Sequence, residues 1–87
     1  MSSVSLTLIG KPGCHLCDDA RATIQAVIAE LPVEGPTVTV EERDILQDAE
    51  LHEKYVEDIP VVLVAGRVHT YWRVDPARLR TLLLEAR

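Results

Sequence analysis

Both cysteines of the chain fall in one ten-residue stretch, Gly10-Lys11-Pro12-Gly13-Cys14-His15-Leu16-Cys17-Asp18-Asp19. It lies between an apolar run, residues 4–9, and a long amphipathic segment, so the backbone must change its period there. Pro12 and Gly13 end the extended pattern, and helical spacing begins at about Cys14. The first cysteine is therefore predicted at the opening of a helix and the second one turn further in, on the same side. A Cα separation of about 5–6 Å suits a disulfide, and such a bridge opens and closes with little backbone movement.

The attacking species in thiol chemistry is the thiolate, and only about 3% of an ordinary cysteine is ionised at pH 7. A working nucleophile therefore needs surroundings that favour the anion. A helix start contributes about 0.3–1 kcal/mol, and about 2 at most. N–H groups of the first turn, the Cys17 thiol and a partly protonated His15 are further donors. Cys14 sits at the positive end and is expected to face outward, which makes it the attacking sulfur and Cys17 the resolving one. Asp18 and Asp19 favour the dipole but oppose an anionic sulfur nearby.

A chain of 87 residues is expected to form a single domain over 1–87. The net charge of −5 argues against nucleic-acid and anionic-membrane partners, which require a basic patch. The start, Met1-Ser2-Ser3-Val4, has no basic region, and no stretch approaches the roughly 18 apolar residues of a membrane span. A cytoplasmic location is expected, where structural disulfides are uncommon. Two cysteines separated by two residues in that setting point to redox or metal chemistry rather than to a staple.

Residues 5–9 alternate polar and apolar before a doubly apolar end, which predicts a strand. Leu16, Ala20, Ile24, Val27, Ile28 and Leu31 then follow helical spacing. Pro32, Gly35 and Pro36 turn the chain, and residues 37–41 alternate as a second strand. Asp44 with Gln47 resembles a capping box opening a short helix to about Tyr55. Residues 60–65 are nearly all apolar, the pattern of a central strand buried on both faces. Gly66-Arg67 is expected to turn the chain into a fourth strand over 68–72. Asp75 as N-cap and Pro76 at the first helical position open a last helix, with Leu79, Leu82, Leu83 and Ala86 on one face. The order β-α-β-α-β-β-α is that of a layered α/β domain, with ligands expected outside the carboxyl ends of strands.

Strand–Lys11-x-x-Cys14-x-x-Cys17–helix, Ile59-Pro60 opening the third strand and the short length resemble the thioredoxin superfamily, and most of all its small glutaredoxin-like branch. The resemblance covers essentially the whole chain. It implies a four-stranded mixed sheet flanked by helices, a third strand antiparallel to the first, and a cis Ile59–Pro60 bond that brings Pro60 beside Cys14 as support. It implies that Ile59 backbone groups pair with an extended thiol-bearing substrate. Lys11 would attract the carboxylate of a glutathione-like ligand, and Asp75 would meet its amine. The chain departs from the family pattern at His15-Leu16, at Asp58-Ile59, and at Tyr71-Trp72-Arg73-Val74, which stands where a Gly-Gly pair is expected.

The reading that follows is a thiol–disulfide oxidoreductase. Catalysis falls to Cys14 and Cys17, support to His15 and Pro60, and substrate contact to Lys11, Leu16, Ile59, Pro60, Trp72 and Asp75. No bound cofactor is expected beyond the redox-active Cys14–Cys17 pair, with glutathione or another thiol as co-substrate. The expected partner is a disulfide-bearing protein or a low-molecular-weight thiol, met by a monomer. Trp72 is either core packing or, with Arg73, a lip of the groove that selects a partner. His52 and His69 are expected on the solvated surface. The alternative is a non-enzymatic module holding a metal or iron–sulfur cluster between two chains through the same cysteines, since a zinc site takes four ligands. A third is a thioredoxin-like adaptor that binds proteins without turnover.

Overall fold

The computed structural model describes residues 3–85. The strands are β1 (Ser3–Gly10), β2 (Thr37–Asp44), β3 (Val61–Val64) and β4 (Arg67–Tyr71); the helices are α1 (His15–Ala29), α2 (Ala49–Tyr55) and α3 (Pro76–Glu85). They form one four-stranded sheet in the order β2-β1-β3-β4. β1 is parallel to β2 and antiparallel to β3, which is antiparallel to β4. This is the mixed sheet with flanking helices of the thioredoxin fold.

Strand parity divides the core between two faces. Val4, Leu6 and Leu8 of β1 and Val62 and Val64 of β3 point to one side, where Ala20, Ile24 and Val27 of α1 and Leu79 and Leu83 of α3 cover them. Ile9 and Val61 point to the other, against Ile45 and Tyr55. The doubly apolar end of β1 thus belongs to two separate clusters. The Ala86 expected on the apolar face of α3 lies outside the described residues.

Several boundaries differ from the sequence expectation: β1 and β2 run longer than residues 5–9 and 37–41, and α1 ends at Ala29, short of Leu31. Asp44 does not open the second helix: its carboxylate accepts from Leu46 N–H (2.8 Å) and caps a single 3-10 turn, Ile45–Gln47. Asp48 then caps α2, accepting from Glu50 and Leu51 N–H (3.1 and 3.2 Å). β3 is shorter than residues 60–65, because Ala65 (φ 52°) and Gly66 (φ 80°) both turn left-handed and form the two-residue hairpin loop. Arg67 is therefore in β4 and Trp72 beyond it. β4 also carries a register shift: Thr70 opposes Val62, whereas Val68 opposes Leu63. His69 is the extra residue of that bulge and is half-buried instead of solvated. Burial, and then the Arg78 charge, push its pKa below the usual value. Among the described residues no helix is long and apolar enough to cross a membrane.

Candidate active site

Ile9 pairs with Val61 across β1 and β3, and Val61 with Tyr71 across β3 and β4. The carboxyl end of β1, the start of β3 and the end of β4 are therefore one edge of the sheet. Gly10–Cys14, Ile59-Pro60 and Trp72 all lie along it. The Ile59–Pro60 bond is cis, as the resemblance implied.

Gly13 (φ 76°) has a left-handed backbone, a conformation glycine adopts without strain, and it turns the chain from β1 into the helix. Cys14 is the N-cap of α1, with extended backbone, and its sulfur accepts from the Cys17 N–H at 3.2 Å. An N-cap side chain normally takes a third-residue N–H that has no partner inside the helix. Here a sulfur does so. Asp18, the acidic neighbour of concern, is engaged by Arg21 Nη1 (2.9 Å), whose Nε holds Glu42 (2.7 Å).

The two sulfurs are unalike. Cys14 is partly exposed, and Cys17 is 1% exposed. Burial, and after it the hydrogen bond with Cys14, push the Cys17 thiol from its ordinary 9.0 up to about 11, against an opposing backbone contact from Lys11. Cys17 is therefore held as a thiol at neutral pH.

The sequence reading assigned no role to Gly10. A Cβ there would stand 2.7 Å from Cys17 Sγ and 3.2 Å from its Cβ, so the bare backbone at the end of β1 is what lets the second sulfur pack. The signal available in the sequence was a glycine closing a strand next to the cysteine turn.

The other expected site residues are placed as follows. Lys11 and His15 are exposed, Ile59 is partly buried and Pro60 buried. Leu16 is 38% exposed and Trp72 56%. These last two line one cleft of about 230 Å³ with Asp19, Thr23, Arg73 and Val74. Asp75 is engaged elsewhere: its Oδ1 accepts from Ala77 and Arg78 N–H (3.0 and 3.3 Å) and caps α3.

Trp72 is not core packing. Its φ is +64°, and Arg73 N–H donates to Tyr71 O at 2.6 Å across it, which makes a tight three-residue γ-turn. For a residue with a side chain such backbone costs about 1–3 kcal/mol. Trp72 N–H donates to Pro60 O (2.8 Å), and its indole Nε1–H to Glu57 O (3.1 Å). Thr70 Oγ1 reaches Arg73 O (2.9 Å). Among the described residues no group of three or more His, Cys, Asp or Glu side chains is arranged to hold a metal ion.

The family described as Glutaredoxin-like domain matches residues 5–84. An uncharacterized protein of Mycobacterium tuberculosis is 31% identical over 80 residues, which cover 92% of this chain and 82% of that protein. A glutaredoxin-like protein of Dictyostelium discoideum is 28% identical over 81 residues, covering 88% and 72%. Among solved structures, a structural-genomics target from X. campestris has a TM-score of 0.71 at 31% identity, covering 94% of this chain and 99% of its own. A mutant thioredoxin from Halobacterium salinarum, 17% identical, shares the fold at a TM-score of 0.65, covering 98% and 75%.

Proposed function

The chain belongs to the glutaredoxin-like domain family, and on that premise we propose that it is a thiol–disulfide oxidoreductase with Cys14 as nucleophile and Cys17 as resolving thiol. One observation carries the reading. The sulfur of Cys14 caps a helix and accepts the Cys17 N–H, while the sulfur of Cys17 is buried one turn on and kept protonated.

The Cys14 thiolate attacks one sulfur of a substrate disulfide; a Cys14–substrate bond forms, the substrate S–S bond breaks, and one substrate thiolate leaves. That leaving thiolate takes the Cys17 proton. The Cys17 sulfur then attacks Cys14 Sγ, the internal bridge forms as the Cys14–substrate bond breaks, and the second substrate sulfur leaves as a thiolate that takes a proton from water. Two equivalents of an external thiol, glutathione or another low-molecular-weight thiol, return two electrons and two protons and restore the pair. Ile59 backbone groups at the sheet edge align an extended substrate, and exposed Lys11 attracts a carboxylate. Asp75 caps α3 through Oδ1 and stays exposed, which leaves its second oxygen to meet an amine. The protein works as a monomer in a reducing compartment, the cytoplasm.

Turnover of bis(2-hydroxyethyl) disulfide with glutathione, and separately with dithiothreitol, tests the reading. Wild type is expected to turn over with at least one donor and Cys14→Ser with neither. Equal rates for the two proteins contradict the assignment.

A further inference from the structure

We propose that Trp72 and Arg73 select the substrate, the indole packing on an apolar side chain and the guanidinium meeting a carboxylate beside the target cysteine of a disulfide-bearing protein segment. This rests on the oxidoreductase reading and names the substrate class of the same site.

A left-handed φ of +64° suits glycine, yet this position carries the chain's one tryptophan. Strained backbone persists only where its surroundings over-determine it, and it gathers at ligand clamps. The surroundings here are the Pro60 and Glu57 carbonyls and the Thr70 hydroxyl. Core packing does not offset the strain, because the residue stays 56% exposed. The bonds fix the ring's polar edge and leave apolar surface in water, which is the arrangement of a pre-organised contact.

Position identifies the occupant. The cleft under the Trp72 loop opens at Leu16, two residues from Cys14, and runs along the first turns of α1 to Thr23. A segment covalently joined to Cys14 passes its neighbouring side chains over that cleft. Arg73 enters no ion pair among the described residues, where Arg21 and Arg43 each hold two carboxylates. It is an exposed cation that shares the cleft with Asp19 but pairs with no carboxylate among the described residues, in a chain of net charge −5. Tryptophan and arginine are also the residues that dominate binding energy at protein contacts.

The test uses mixed disulfides of glutathione with three octapeptides, one with Leu and Glu flanking its cysteine, one with Leu and Gln, and one with Ser at both places. Wild type is expected to favour the Leu–Glu peptide over the Ser peptide by about tenfold in kcat/KM, a single hot-spot contact, mainly through KM. Trp72→Gly and Trp72→Ala are expected to bring that preference to about unity while remaining cooperatively folded, the glycine variant with an unchanged or higher melting temperature. Arg73→Ser is expected to abolish discrimination between Glu and Gln at the flanking position. A wild type without preference, or Trp72 variants that keep it, overturn the proposal while the oxidoreductase reading stands. Wild type inactive on all three peptides and on bis(2-hydroxyethyl) disulfide overturns both.

Discussion

At the scale of single residues, the site depends on small distances around one sulfur. Gly10 leaves a gap that Cys17 Sγ fills, and any Cβ there approaches to 2.7 Å. The sulfur is buried and on a short side chain, so the clash moves either β1 or the first turn of α1. Gly10→Ala is expected to destabilise the reduced protein by about 1–3 kcal/mol, the range for overpacking, read as a lower urea midpoint. It should also speed alkylation of Cys17 as that thiol is displaced outward. The two cysteines were legible in the sequence because spacing alone puts them on one helix turn. Gly10 was marked only as a glycine closing a strand, and its constraint exists only once Cys17 is packed beneath the strand. The strain at Trp72 was equally hidden: it comes from bonds to Pro60 and Glu57, more than ten residues away in the chain.

At the scale of elements, apolar parity and helix caps mark most of the strands and helices, whereas the antiparallel β3 beside β1 was implied only by the family resemblance. Alternation in residues 5–8 and the spacing of Ala20, Ile24 and Val27 settle β1 and α1, and these residues do cover each other. Asp75 at the head of α3 was legible as a cap for the same reason. Asp75→Ala is expected to cost about 1 kcal/mol and Asp75→Asn a few tenths, since Asn caps about as well as Asp; urea midpoints at constant m-value measure it. The pattern misled where two signals of one kind stand close together. Asp44 and Asp48 both cap, so one expected helix became a 3-10 turn and then α2. The bulge at His69 leaves no trace in the sequence, because it answers to the pairing of β4 with β3.

At the scale of the molecule, burial of Cys17 ties redox state, pH and stability together. Its pKa, about 11 in the fold against an ordinary 9.0, means that the folded chain holds the thiol proton more tightly than the unfolded one. The stability this confers is complete below pH 9 and is lost as pH rises from about 9 to about 11. Denaturation midpoints of the reduced protein are expected to fall across that window more steeply than those of Cys17→Ser; parallel curves contradict it. The same asymmetry between the sulfurs is the central claim, and trapping tests it most directly. Cys17→Ser and Cys14→Ser are each exposed to a peptide–glutathione disulfide and mapped by mass spectrometry. The expected result is a stable adduct on Cys14 in the first variant, none in the second, and an internal Cys14–Cys17 bridge in wild type. An adduct forming on Cys17 of the Cys14→Ser protein as fast as on Cys14 of the other contradicts the account.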